Sequence, residues 1–263
     1  MISAKKILDS RLIYLGHAQL GTANNAYGHR IPDQGVIDVS VPQSYAGLVV
    51  INIEPVPNMH SDTQKQDAFW VEVESAISKI KNRAPSCRIG LYGVPYMEVN
   101  GLEATREYLW DRSDPAWGWY AANFEDLKDK AGRVRDAMQH EADHRIAMGR
   151  FQNIDVLCPS IYSHGSYEDH LWIPAGCAWA VECGLQLGKS VMPFVWGRRI
   201  NPATGEFEEM SQGDLMSYAH AIRPYLNGFE DVICWHESED FESEITEMAA
   251  SNQMDALRTY LGG

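Results

Sequence analysis

The apolar positions of this chain fall into two alternating patterns: short runs rich in Val, Ile, Leu and aromatic residues, and longer stretches where apolar residues recur every three or four positions. The short runs predict seven strands, at 12–16, 36–39, 48–53, 88–94, 156–162, 190–195 and 231–235. Several are apolar at consecutive positions, as a strand buried on both faces requires. Between them, 64–81 sets Phe69, Trp70, Val73, Ile77 and Ile80 along one helical face, and 175–188 and 212–226 carry similar spacing. Strands alternating with helices predict a parallel sheet with helices packed outside it. The expected class is α/β, a TIM-type (β/α) barrel, seven-stranded or otherwise irregular.

The stretch 98–152 interrupts this rhythm. It contains Tyr108, Trp110, Trp117, Trp119 and Tyr120, then a helical pattern over 124–148, and reads as an elaborated loop followed by a barrel helix. Trp110, Trp117 and Trp119 are expected to anchor the loop by packing, with a sugar platform as the alternative.

A chain of 263 residues with no composition shift is expected to fold as one domain over 1–263. Its formal net charge of −14 sets up a potential that repels phosphate backbones and anionic lipid, which argues against nucleic acid or a membrane surface as partner. The cysteines Cys87, Cys158, Cys177, Cys183 and Cys234 are odd in number, widely spaced and form no CxxC pair, so reduced core thiols are expected. Met1 to Ser10 has no apolar core of a signal peptide, and no window has the apolar length of a membrane span, so the default location is cytoplasmic.

In a parallel barrel all strands point the same way, and the residues just after them converge on one rim. Here that rim would receive Asn52 and Glu54 from the third run, Tyr92 and Tyr96 from the fourth, and Tyr162 from the fifth. The sixth adds Trp196 and Arg198, the last Trp235 and Glu237. Aromatic faces pack on the C–H faces of pyranose rings, and carboxylates and hydroxyls bond their hydroxyl groups, so the mixture suits a carbohydrate. It also suits glycoside cleavage, which needs a carboxylic acid of raised pKa to protonate the leaving oxygen. Glu54, between Ile53 and Pro55, has apolar neighbours for that role. The alternative is an ordinary rim carboxylate paired with Arg198 or Arg199.

The block Val49-Val50-Ile51-Asn52-Ile53-Glu54 resembles the Asp-x-Glu strand of hyaluronidases, and further blocks follow in that family's order. Gly90-Leu91-Tyr92-Gly93-Val94-Pro95 is similar to its Tyr-Gly-Phe-Pro segment, and Cys158-Pro159-Ser160-Ile161-Tyr162 to its Tyr-Pro-Ser-Ile-Tyr. Met192-Pro193-Phe194 with Arg198 resembles its penultimate strand, and Val232-Ile233-Cys234-Trp235 its final Ile-x-Trp. The resemblance implies a barrel in which Glu54 is the proton donor, Tyr92 and Tyr162 shape the subsite and Trp235 walls it. In that family the substrate's own N-acetyl carbonyl is the nucleophile, so no second carboxylate is needed.

One position departs from the pattern. Asn52 stands where the family has the aspartate that orients the acetamido group and perturbs the acid; an amide hydrogen-bonds but supplies no like charge to raise the pKa of Glu54. Asp38 on the preceding predicted strand would restore that charge, or Glu98 or Glu237 would complete a conventional pair, or the site binds sugar without cutting it.

Competing motifs are weaker. His140-Glu141-Ala142-Asp143-His144 matches H-E-x-x-H, the pattern of a zinc-dependent hydrolase. Arg135, Asp136, Gln139 and Arg145 around it read as a solvated face, and no third ligand follows at the usual spacing. His17, His164 and His236 fall at strand ends, but the His-x-His pair of an amidohydrolase-like metal barrel is missing. No GxGxxG, P-loop or Gly-x-Ser-x-Gly occurs. The expectation is a glycoside hydrolase for an N-acetylhexosamine-containing glycan, needing no metal or organic cofactor, with a non-catalytic glycan-binding or structural barrel as the alternative.

Overall fold

A computed structural model describes residues 12–53, 63–94, 149–162, 169–200, 207–235, 257 and 259–261. In chain order, β1 (Leu12–Leu15) leads into the short helix α1 (His17–Leu20), an antiparallel hairpin of β2 (Ala23–Asn24) and β3 (Arg30–Ile31), and helix α2 (Gln34–Ser40). Then come β4 (Leu48–Ile51), α3 (Thr63–Arg83), β5 (Arg88–Tyr92) and β6 (Val156–Cys158). Helix α4 (Asp169–Leu187) precedes β7 (Ser190–Val191) and β8 (Phe194–Trp196); β9 (Arg198–Ile200) and β10 (Phe207–Glu209) pair antiparallel. Helix α5 (Gln212–Ile222) runs into a 3₁₀ turn, Arg223–Gly228, before β11 (Ile233–Trp235).

The helices form where local chemistry supports them. On α3, Phe69, Trp70, Val73, Ala76, Ile77 and Ile80 are buried along one stripe, and Lys81 and Arg83 lie in the last turn, where positive charge meets the negative end of the helix dipole. A reciprocal capping box starts α5: the Asp214 amide donates to Ser211 Oγ, and the Ser211 amide donates to the Asp214 carboxylate. Pro224, at the start of the 3₁₀ turn, cannot supply an amide to continue the α-helix. Among the described residues, no helix is long and apolar enough to cross a membrane.

Strands β1, β4, β5, β6 and β7 make a five-stranded, all-parallel sheet in that order. The ladder continues past β7. Ser160 bridges Phe194 in parallel, Phe194 N donates to Pro159 O at 2.8 Å, and β8 pairs in parallel with β11. The expected parallel α/β sheet with outer helices is therefore present.

Side chains alternate between the two faces of this sheet. Ile13, Leu15, Val49, Ile51, Ile89, Leu91, Leu157 and Val195 join the large core beneath the helices. Leu12, Tyr14, Leu48, Val50, Tyr92, Val156, Cys158, Phe194 and Ile233 form a separate cluster on the other face. That second cluster reports the sheet's shape. Tyr14 on β1 and Phe194 on β8 are four strand steps apart, about 19 Å across a flat sheet with strands roughly 4.8 Å apart. Their ring centroids lie 5.8 Å apart, so the sheet curls strongly around its inner side chains.

The structure corrects one predicted element. Residues 36–39 are not a strand but part of α2, capped by Asp33, whose carboxylate accepts the Val36 amide at 3.0 Å. The β-branched run Val36-Ile37 with Val39 mimicked a strand. Only Ile37 is buried in this helix, while Val39 is 89% exposed. The other predicted elements within the described residues differ in extent: 190–195 divides into β7 and β8, and α4 begins at Asp169, with Pro174 inside it; the helix predicted over 124–148 lies outside the described residues. Cys87, Cys158, Cys177 and Cys183 are buried and unbridged, as expected of core thiols, and burial pushes the Cys87, Cys158 and Cys177 pKa values up.

Helix α4 approaches the sheet at Gly184, where an added Cβ would sit 2.5 Å from Val191 Cγ2 and 3.1 Å from the Lys189 carbonyl oxygen. Gly184→Ala should therefore cost about 1–3 kcal/mol, overpacking outweighing the gain in helix propensity. Urea unfolding checks this; a variant as stable as the parent would show that α4 can shift freely.

Candidate functional site

The inner cluster ends, at the C-terminal edge of the sheet, in a group of polar aromatic residues. Tyr14 is the penultimate residue of β1, Asn52 follows β4, Tyr92 closes β5, Tyr162 follows β6, and Trp196 closes β8. Alternation puts them on one face, for each lies an even number of residues beyond an inner apolar position of its strand, Leu12, Val50, Gly90, Cys158 or Phe194. Packing then fixes the rings. Tyr92 stands edge-on to Tyr14, centroids 6.2 Å apart, and to Phe194 at 5.1 Å; Tyr162 leans on Trp196 at 5.4 Å.

Two hydrogen bonds knit the polar ends together. Asn52 Nδ2 donates to the Tyr14 hydroxyl at 2.6 Å, and the Tyr92 hydroxyl donates to that of Tyr162 at 3.2 Å. Asn52 is 8% exposed and Trp196 5%, while Tyr14, Tyr92 and Tyr162 are half-buried, so the group is partly desolvated, and its described members carry no charge. Such a surface has hydroxyl and amide groups to hydrogen-bond a sugar and rings to pack against it, and none of its described members is a carboxylic acid. Cys158 below it is not a nucleophile candidate, because full burial keeps its thiol protonated.

Of the residues predicted for the site, the structure brings together Asn52, Tyr92, Tyr162 and Trp196. The backbone of Trp235 pairs with that of Trp196 across β11 and β8, and Arg198 opens β9; their side chains lie outside the described residues. So do Glu54, Tyr96, Glu98 and Glu237, the motif His140-Glu141-Ala142-Asp143-His144, His164, His236, the side chain of His17, and Trp110, Trp117 and Trp119. Among the described residues no group of three or more His, Cys, Asp or Glu could hold a metal ion.

Asp38 is elsewhere. It accepts from Gln34 Nε2 at 2.7 Å and lies 3.9 Å from Arg83 Nε, which donates to Val41 O. Val41 precedes β4 and Arg83 precedes β5, so both mark the end of the sheet where strands begin, opposite the edge that carries Asn52. The rescue that placed Asp38 beside Glu54 depended on residues 36–39 being a strand, and that strand is a helix.

Sequence reasoning missed Tyr14. The available signal was its position, the last inner-facing residue of the first strand and so the equivalent of Tyr92 on β5, but no motif drew attention to it.

No protein-family profile and no curated protein sequence matches the chain. Solved structures do. A crystal structure of bee venom hyaluronidase matches with a TM-score of 0.60 at 14% sequence identity, covering 94% of this chain and 87% of that one. The bee enzyme in complex with a hyaluronic acid tetramer matches with a TM-score of 0.56 at 15% identity, covering 94% of this chain and 86% of the other. At such identity the likeness establishes a shared fold, a distant structural resemblance to bee venom hyaluronidase.

Proposed function

We propose that this protein is a glycoside hydrolase acting on a glycan that contains N-acetylhexosamine, with Glu54 as general acid. The observation that carries the reading is the placement of Asn52: nearly buried, bonded to Tyr14 and joined through it to Tyr92, at the edge where β4 ends. Glu54 is two residues further along, within about 7 Å of Asn52 along the backbone. A carboxyl group beside this partly desolvated, uncharged aromatic surface would be biased towards its protonated form, as a proton donor must be. The curl that brings the Tyr14 ring of β1 against Phe194 of β8 supports a sheet closing into a (β/α) barrel, whose C-terminal rim would also carry Tyr96, Arg198, Trp235 and Glu237.

Catalysis would be substrate-assisted. The acetamido carbonyl oxygen attacks the anomeric carbon while the Glu54 carboxyl protonates the leaving glycosidic oxygen; water then opens the cyclic intermediate, and its proton returns to Glu54. Tyr92, Tyr162 and Trp196 would shape the sugar subsite. A second reading, a glycan-binding protein without hydrolytic activity, is favoured by one observation: position 52 holds an amide and not a carboxylate.

The wild-type protein should release reducing ends from at least one of hyaluronan, chondroitin and chitin oligosaccharides, with retention of anomeric configuration read by NMR. Measurable binding with no release from any of them would establish the second reading instead. Asn52→Asp adds a like charge near Glu54 and should raise the pKa of the acid, so the alkaline limb of the kcat/KM profile should move to higher pH. An unmoved limb would mean that position 52 does not sense the acid.

A further inference from the structure

Helix α5 reaches into the sheet through one side chain. Tyr218 is buried with Leu215, Ala219 and Ile222 on the inner face of the helix, and its hydroxyl donates to the carbonyl oxygen of Ile161, just beyond the end of β6. A leucine would fill such a position with no hydroxyl to desolvate, so what the tyrosine adds is the bond. The helix is itself tied to this end of the sheet. Its capping box begins one residue after Met210, whose amide donates to Gly197 O at 3.1 Å, directly after β8. Tyr218 therefore reaches Ile161 from a fixed base.

Ile161 is held in three ways. Its amide donates to Phe194 O at 2.8 Å, its side chain is buried in the core beneath the helices, and its carbonyl accepts from Tyr218. That carbonyl shares a rigid peptide plane with the Tyr162 amide, so holding the oxygen fixes the plane from which Tyr162 departs. Side chains alternate along extended backbone, which sends Ile161 towards the helices and Tyr162 to the inner face. There the Tyr162 ring lies 5.4 Å from that of Trp196, and its hydroxyl accepts from Tyr92 at 3.2 Å. We propose that Tyr218 is a positioning residue: by holding the Ile161 carbonyl from the helix side of the sheet, it aims the Tyr162 ring at the inner site. Its bearing on ligand binding rests on the carbohydrate reading above, in which Tyr162 shapes the sugar subsite.

The test reads the ring directly. In the full chain, meta-fluorotyrosine replaces Tyr162 alone, and in a second sample Tyr14 alone, so that each ring reports its surroundings by fluorine NMR. Tyr218→Phe keeps the packing and removes the donor; the Tyr162 resonance should move towards that of free fluorotyrosine, while the Tyr14 resonance stays in place. Replacing Tyr218 by para-aminophenylalanine keeps a weaker donor, and should move the Tyr162 resonance part of the way. This variant decides the matter should Tyr218→Phe fail to fold. Affinity for hyaluronan, chondroitin and chitin oligosaccharides, measured by calorimetry, should fall roughly three- to tenfold in Tyr218→Phe for those the wild type binds, the worth of one hydrogen bond. In the Tyr162→Ala background Tyr218→Phe should weaken binding no further, because the two residues act as one unit.

A Tyr162 resonance that does not move in folded Tyr218 variants, or equal movement at Tyr162 and Tyr14, would overturn the positioning role and leave the carbohydrate reading standing. So would a further loss of affinity in the Tyr162→Ala background. A wild type that binds none of the oligosaccharides would remove the carbohydrate reading, and with it the effect of Tyr218 on binding; the fluorine resonances would still decide whether Tyr218 aims Tyr162.

Discussion

Glu54→Gln should lower kcat by about 10²–10⁴-fold, the usual contribution of a positioned general acid, while leaving KM for the glycan nearly unchanged. The two side chains are almost isosteric, and an amide keeps hydrogen-bonding capacity, so sugar binding survives; what disappears is a proton acidic enough to reach the leaving oxygen. The described surface around Asn52 contains tyrosines, tryptophan, phenylalanine and an amide, so no described neighbour there is a carboxyl group able to take over. A substrate whose leaving group departs without protonation, such as a 2-acetamido glycosyl fluoride, should recover most of the lost rate. If Glu54→Gln keeps wild-type kcat, or if the fluoride is slowed as much as the natural glycan, Glu54 is not the acid.

Phe194→Ala should destabilise the fold by about 3–5 kcal/mol, a large fraction of the roughly 5–15 kcal/mol that holds a domain together. Phe194 is fully buried and touches both Tyr14 and Tyr92, so its removal opens a cavity inside the curl of the sheet. Neighbouring backbone can collapse little, because Phe194 also lies at the joint of the ladder: its amide donates to Pro159 O and its carbonyl accepts from Ile161 N, both at 2.8 Å. The aromatic support of the site goes with it, so glycan binding should fall even below the unfolding midpoint. Chemical denaturation with binding measured in parallel checks both effects. A loss under about 1 kcal/mol would mean that the inner cluster is loosely packed and that the curl is held by the ladder alone.

The strands were legible because their signal is local. Leu48 to Ile51 is a four-residue run of apolar side chains buried on both faces, and such a run reads the same in isolation as in the fold. Helix α3 was legible for the same reason, its buried stripe recurring with the period of one helical turn. Where two local signals compete, the reading failed. The β-branched run at 36–39 favoured a strand, yet Asp33 supplied a cap and α3 a surface to pack against, and together these outweighed a propensity difference of only about 1 kcal/mol.

The site was legible in part. Asn52, Tyr92, Tyr162 and Trp196 could be named because each lies at the end of a recognisable strand, and the first three also lie in blocks resembling the hyaluronidases. Tyr14 could not, because its significance is relational: it matters through a bond to Asn52 and ring contacts with Tyr92 and Phe194, residues far along the chain.

By itself, then, the order of residues determined the alternation of strand and helix, the parallel class of the sheet, the burial of the four described thiols and which residue types gather at the strand ends. Periodicity and apolar content act over a few residues, so they need no knowledge of distant neighbours. Only the tertiary structure decided that residues 36–39 are helical, that Asp38 stands at the far end of the sheet from Asn52, and that the sheet curls until the Tyr14 ring on β1 reaches that of Phe194 on β8. The first depends on the packing of α2 against α3, the others on strand register and on the twist accumulated from strand to strand, which no short window of sequence contains.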